Sequence, residues 1–128
     1  MKTMTLTVLA LLVAIGASAQ QAPTQTPLTK PFADLPGKEG TMLTVELAPG
    51  ASGQAHRHDA HVFVYVLEGQ VVMQVAGGAA QTLGPGQTFY ESPTDVHTVS
   101  RNASPTTKAK FLVFMVKNVG APISAPAR

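Results

Sequence analysis

Cysteine is absent from this sequence of 128 residues. Its absence excludes disulfide bonds, thiolate metal ligands and a thiol nucleophile, and it removes the residue through which an exported bacterial protein can be anchored to lipid. Charged residues are also few, at 12% of the chain, with nine lysines and arginines against seven acidic residues. They form no basic cluster, so the composition favours neither a nucleic acid nor an anionic membrane surface as a partner.

A long apolar run is missing as well. The run Leu6–Gly16 is too short to span a bilayer, but it follows a charged start and precedes Ala17-Ser18-Ala19, the small residues that a signal peptidase needs. We therefore predict a signal peptide over residues 1–19 and a periplasmic or secreted protein with no membrane association after processing. An uncleaved anchor is the alternative.

Convincing helical periodicity is lacking throughout the rest of the chain. Residues 20–30 are polar and punctuated by proline, which predicts a disordered lead, and residues 119–128 are expected to form a flexible tail. Between them, residues 31–118 have the turn-punctuated pattern of a single antiparallel all-β domain, a sandwich or a barrel. A hairpin is expected where Gly69-Gln70 joins the second and third strands. The predicted strands are 41–47, 62–68, 71–75, 81–83, 88–91, 96–101 and 110–116.

Three of the four histidines lie close together in the sequence. His56 and His58 are two residues apart, so on an extended chain both side chains project to the same face, as two ligands of one metal must. His97 lies on a later predicted strand and can meet the pair if the sheet closes. The alternative is that His56 and His58 are solvated loop residues, because a short His-x-His motif is only a hypothesis.

The stretch Gly50–Gly69, which contains this pair, resembles the first motif of the cupins. Residues 86–102 resemble the second cupin motif more loosely, with His97 as its histidine. The resemblance implies an antiparallel double-stranded β-helix, or jelly-roll barrel, that binds a metal through three histidines and a glutamate. The family's glutamate falls here on Val62, which cannot bind metal.

Other side chains could supply the missing donor. Alternation directs His61 away from the site, but a bulge in the Asp59-Ala60 turn would bring it inward as a fourth nitrogen ligand. Glu91 precedes the His97 loop in an apolar and aromatic run, and if it points inward it would ligate the metal or act as a general base. The outward alternative for Glu91 is equally compatible with alternation. Asp59 and Asp95 are the remaining candidate carboxylates.

Three functions are compatible with these patterns. The first is a metal-dependent enzyme acting on a small organic substrate, such as a dioxygenase similar to the quercetin-cleaving cupins, with Glu91 as its base. The second is a non-catalytic cupin that binds a metal or a small ligand, and the third is a barrel without metal. Three histidines with open positions suit a divalent transition metal, which could be Zn, Fe, Mn, Ni or Cu.

The last predicted strand is apolar on both faces. One face of Phe111–Val116 should enter the core, and the other needs a cover, because contiguous exposed apolar patches are uncommon on monomers. A homodimer is the simplest cover, and coverage by the chain's own termini is the alternative.

Overall fold

The computed structural model describes residues 25–127, which form ten β-strands and no helix. The all-β class predicted from the sequence is confirmed. The predicted signal peptide, residues 1–19, lies outside the described residues, as do residues 20–24 of the predicted lead, and both stay predictions. Over the described range there is no helix long and apolar enough to cross a membrane. The strands are β1 Leu28–Pro31, β2 Lys38–Leu47, β3 His56–Arg57, β4 His61–Glu68, β5 Val71–Val75, β6 Gln81–Leu83, β7 Thr88–Glu91, β8 His97–Asn102, β9 Ala109–Asn118 and β10 Ala125–Pro126.

These strands make two antiparallel sheets of five strands each. The first sheet has the order β1-β2-β9-β4-β7, and the second has the order β10-β3-β8-β5-β6. The longest pairing joins β2 and β9 over ten residues, from Lys38 opposite Asn118 to Leu47 opposite Ala109. Neighbours in each sheet are mostly distant in sequence, so the fold depends on long-range pairing.

Alternation along the strands places the core between the two sheets. On β4, Val62, Val64 and Val66 are buried while the residues between them are exposed. The inward residues of both sheets form one apolar cluster, which includes Phe111 of β9 and Met73 of β5. Burying β-branched and aromatic side chains on one face of each sheet is what holds the two layers together.

The hairpin expected between β4 and β5 is wrong. These strands belong to different sheets, because the chain turns at Gly69 and crosses from the first sheet to the second. Gly69 has a φ of +67°, and a Cβ at this position would lie 2.5 Å from the carbonyl oxygen of Lys108. The glycine therefore permits a close backbone crossing rather than a tight hairpin turn.

Both predicted domain boundaries also differ from the structure. Strand β1 begins at Leu28 and pairs with β2, so the last residues of the predicted lead belong to the first sheet. At the other end, Ala125 and Pro126 of the predicted flexible tail pair with Arg57 and His56 of β3. The prolines and the short length of this segment predicted a flexible tail. In the structure, residues 125 and 126 instead pair with β3 and become the edge strand of the second sheet.

Candidate metal centre

The structure brings His56, His58 and His97 together, as the sequence predicted. His56 on β3 is paired directly with His97, the first residue of β8, and His58 is the residue immediately after β3. The ring centroids of His56 and His58 are 4.7 Å apart, and those of His56 and His97 are 5.0 Å apart. One nitrogen from each ring lies within 4.8 Å of the others, so the three residues could hold a metal ion.

Hydrogen bonds fix which nitrogen of two rings faces the cluster. The Nδ1 atom of His56 donates to the carbonyl oxygen of Gln54 at 2.8 Å, and Nδ1 of His58 donates to that of Ile123 at 2.5 Å. A carbonyl oxygen only accepts, so each Nδ1 carries a proton and each neutral ring keeps its lone pair on Nε2. These two Nε2 atoms face each other at 3.0 Å.

His97 is more deeply buried than the other two histidines. Its side chain is in the interior, stacked against Phe89 with 5.8 Å between ring centroids. Neither ring nitrogen has a hydrogen-bond partner among the described residues. Oε1 of Glu91 lies 3.2 Å from Nδ1 but outside hydrogen-bonding geometry. A buried imidazole without a hydrogen bond is costly, so the donor set of the cluster fits a metal ion.

Glu91 is the carboxylate next to the cluster. Its side chain is in the interior, with Oε1 at 3.2 Å from Nδ1 of His97 and Oε2 at 3.8 Å from Nε2 of His58. Oε2 has no hydrogen-bond partner within residues 25–127. The inward alternative for Glu91 is therefore the observed one. Glu91 on β7 lies directly opposite Val62 on β4, so it directs a carboxylate into the space that Val62 also faces.

Burial favours the metal-binding form of His56. Desolvation by burial lowers the pKa of this imidazole below its ordinary value, and the nearby His58 and His97 rings act in the same direction. The hydrogen bond to the Gln54 carbonyl and the charge of Glu91 oppose this lowering of the pKa. The net effect keeps His56 neutral at physiological pH, with its Nε2 lone pair available.

A cavity of about 380 Å³ lies beside the histidines. Its polar lining residues are Glu91, the three histidines, Gln54, Ser100 and Ser124. Most of its wall is apolar, and among the described residues that line it there is no lysine or arginine. Its apolar wall includes Leu43, Val45, Val62, Val64, Val113 and Met115.

His61, predicted as a possible fourth ligand, does not lie with the other three histidines in this structure. His61 is the exposed first residue of β4, and its Nδ1 lies 2.7 Å from the hydroxyl oxygen of Tyr90 on the outer face of the sheet. The Asp59 backbone has a φ of +47°, but no bulge turns His61 inward. Asp59 instead forms an ion pair with Arg57, and Asp95 accepts a hydrogen bond from the Ser92 amide at 2.7 Å, so neither carboxylate joins the cluster.

Sequence reasoning missed the backbone contribution to the site. The carbonyl oxygens of Gln54 and Ile123 orient His56 and His58, and every residue type, proline included, offers the same backbone carbonyl. No side-chain signal marks them. Only the pairing of β10 with β3 would have shown that the end of the chain reaches the histidines.

Comparison with known proteins agrees with this description. The family model for the cupin domain matches residues 43–115, more than half of the chain. A comparison with functionally curated proteins gave no match.

Several solved structures are similar in fold. A protein with a double-stranded β-helix domain from Klebsiella pneumoniae has 18% identity and a TM-score of 0.64, with 88% of each chain covered. The DMSP lyase DddQ from Ruegeria pomeroyi has 18% identity and a TM-score of 0.62, over 69% of this chain and 43% of the lyase. A recombinant oxalate oxidase in complex with glycolate has 22% identity and a TM-score of 0.59, over 68% of this chain and 45% of the oxidase.

The chain thus spans less than half the length of the lyase and the oxidase that it matches. At these identities the likeness shows the fold alone, and function depends on the site. The match of the family model over residues 43–115, together with the double-stranded β-helix, shows that the chain belongs to the cupin family.

Proposed function

We propose that this cupin binds a divalent transition metal through His56, His58 and His97, with Glu91 as the carboxylate of the site, and acts on a small organic molecule held in the adjacent cavity. The metal could be Zn, Fe, Mn, Ni or Cu, since imidazole suits several of these ions. The proposed reaction class is that of a metal-dependent oxidoreductase, such as a dioxygenase.

One observation carries the metal proposal. Nε2 of His56 and Nε2 of His58 are 3.0 Å apart, and the hydrogen bonds of both Nδ1 atoms leave a lone pair on each of them. Two lone pairs at this distance repel each other unless a cation or a proton lies between them. Ligand nitrogens lie about 2.1 Å from a bound zinc ion, so two nitrogens 3.0 Å apart can share one ion.

The surroundings of Glu91 support the same proposal. Its only ionic contacts in the described part of the chain are to His58 and His97, which are charged only when protonated. A buried carboxylate without a cationic partner is costly, and a divalent ion would supply the missing positive charge. Glu91 in turn would offset the ion's charge, which three neutral imidazoles leave uncompensated.

The cavity favours a molecule with a largely apolar part. A bound metal would supply Lewis-acid or redox chemistry at the polar end of the cavity. The aliphatic wall would exclude water and orient the molecule, and the described lining has no lysine or arginine that would add a second cation beside the metal.

Metal analysis of the purified protein tests the proposal. We expect about one equivalent of a transition metal, which a chelator removes and which restores thermal stability when added back. His97→Ala should abolish binding, while His61→Ala should bind as the wild type does, because His61 lies on the opposite face of β4. A protein that binds none of the five metals would overturn the proposal.

A non-catalytic metal- or ligand-binding cupin is the second candidate. The cavity favours it, because a mainly apolar wall, to which residues 123–126 contribute, can hold a small molecule without any reaction. Metal-supported turnover of a small apolar molecule would decide for the enzyme, and retention of such a molecule without turnover would decide for the binding protein.

We also propose that the protein forms a homodimer through the outer face of the first sheet. Cross-strand pairs connect one exposed or half-buried apolar side chain from each of the five strands into a row. None of the five is charged, so a two-fold axis can bring the row against its own copy without like-charge repulsion. The row consists of Leu28, Met42, Phe114, Phe63 and Tyr90.

Sedimentation velocity tests the dimer. The wild type should sediment as a dimer, and Phe63→Lys, which places a charge at the middle of the row, should sediment as a monomer. Leu67→Lys is the matched control, since Leu67 is an exposed apolar residue of the same strand outside the row. A monomeric wild type would contradict the proposal.

A further inference from the structure

The segment Ile123–Pro126, called the strap here, contacts the metal centre through its backbone. The carbonyl oxygen of Ile123 accepts the hydrogen bond from Nδ1 of His58 across 65 positions of sequence. His56 differs in this respect, because its Nδ1 partner, the carbonyl of Gln54, lies only two residues away in the same loop. One histidine of the pair is therefore oriented locally and the other by the end of the chain.

Contacts on both sides hold the strap in this position. Before it, Nζ of Lys117 donates to the carbonyl oxygen of Ala121 at 2.6 Å, and the amide of Gly120 donates to Glu39 at 3.2 Å. Within it, the Ile123 side chain packs against the apolar core. Its last two residues pair with β3 as strand β10. The strap is thus held by contacts just before it, by its first residue Ile123 and by its last two residues.

The strap also forms part of the cavity wall. Its four residues line the cavity, and they alternate between half-buried Ile123 and Ala125 and exposed Ser124 and Pro126. Because the two exposed residues also line the cavity, the strap lies where the cavity meets solvent.

We propose that Ile123 is a positioning residue of the metal centre, whose carbonyl holds His58 in the tautomer that presents Nε2 to the metal. This inference rests on the proposed metal binding. Groups that accept the second N–H of a metal-binding histidine fix its tautomer and orientation, and their loss typically costs 10–100-fold in metal affinity. The metal affinity should therefore depend on the position of the strap.

Two variants of the full chain test the effect on affinity. Ile123→Gly removes the side chain that packs against the core and adds backbone freedom, without adding a metal-binding atom or a charge. Ile123→Leu keeps an aliphatic anchor and is the control. By calorimetric titration with Zn²⁺, we expect about a 10-fold loss of affinity for Ile123→Gly and wild-type affinity for Ile123→Leu. Circular dichroism checks that both variants fold.

The tautomer of His58 is the second measurement, and it needs no metal. Nitrogen-15 NMR of the metal-free protein should show the proton of His58 on Nδ1 in the wild type and a shift toward Nε2 in Ile123→Gly. His56 is the internal control, because its acceptor is not part of the strap and its tautomer should not change. A change at His58 alone is a result that a general loss of stability would not produce.

Two results would overturn the inference. One is wild-type Zn²⁺ affinity in folded Ile123→Gly, and the other is a wild-type His58 whose proton is on Nε2. The second result decides the question even if Ile123→Gly fails to fold. A wild type that binds no Zn²⁺ but has the expected His58 tautomer would contradict the proposed metal site and leave the positioning contact standing.

Discussion

Glu39 and Glu91 are both buried glutamates of the first sheet, but their surroundings differ. Glu39 on β2 is 6% exposed, and its carboxylate binds the Lys117 ammonium and the Gly120 amide. Glu91 on β7 is 2% exposed and has no lysine or arginine partner in the range the structure describes, while one of its oxygens has no hydrogen bond at all. The protein itself supplies the charged partner of Glu39. Glu91 would gain such a partner only from a cation bound beside it.

This difference separates a structural carboxylate from a functional one. Paired buried charges cost little once their hydrogen bonds are complete, whereas an unpaired buried charge destabilises the fold. A protein retains such a group where a ligand repays the cost. The surroundings of the two glutamates, rather than the residue type, therefore indicate which one belongs to a binding site.

The largest expected effect is the loss of metal affinity when the unpaired carboxylate is removed. Glu91→Val should lower Zn²⁺ affinity about 10–100-fold or more, because it removes the anion beside the three histidines. Glu91 lies directly opposite Val62, so the exchange Val62→Glu with Glu91→Val returns a carboxylate to the same space from the neighbouring strand. The double variant should regain most of the affinity in a calorimetric titration.

Glu39→Gln is the control for this exchange. It removes a buried negative charge from the same sheet but keeps an acceptor for Lys117 and Gly120, so Zn²⁺ affinity should not change. Wild-type affinity in Glu91→Val would show that Glu91 is not a ligand. If Glu91→Gln retained metal and lost turnover, Glu91 would act as a general base instead.

The sequence predicted the histidines of this site better than its carboxylate or its boundaries. His56 and His58 share a face because side chains alternate along an extended chain, and this local rule suffices for two ligands. The inward position of Glu91 depends on the register between β4 and β7, which single-sequence patterns do not determine. The same long-range pairing brings Ile123 to His58, so the strap could not be predicted from a proline-punctuated tail.

The next effect in size concerns the stability of the metal-free protein, where the two glutamates should act in opposite directions. Glu39→Gln should lower the melting temperature, because it leaves the buried Lys117 ammonium without a counter-charge. Glu91→Gln should leave the melting temperature unchanged or raise it, since a neutral amide costs less to bury than an unpaired carboxylate. Thermal melts in the presence of a chelator measure both melting temperatures. A lower melting temperature in both variants would contradict the expected difference between the two glutamates.

The smallest effect is the pH dependence of the Glu39 contribution. The hydrogen bond from Lys117 lowers the pKa of the Glu39 carboxyl below its ordinary value of 4.5, with smaller lowering effects from the Gly120 amide and the Lys117 charge, while burial opposes them. Because the folded state then binds fewer protons than the unfolded state, the stabilisation is fully present above pH 4.5 and is lost as the pH falls through the folded-state pKa. The difference in melting temperature between wild type and Glu39→Gln should therefore be constant near neutral pH and should narrow below about pH 4.

Glu46→Gln is the matched control, since Glu46 forms an exposed ion pair with Lys108 at 3.3 Å, and exposed pairs contribute only about 0–1 kcal/mol. A difference for Glu39→Gln that stays constant or widens in acid would show that its ion pair does not stabilise the fold in the way the buried geometry indicates.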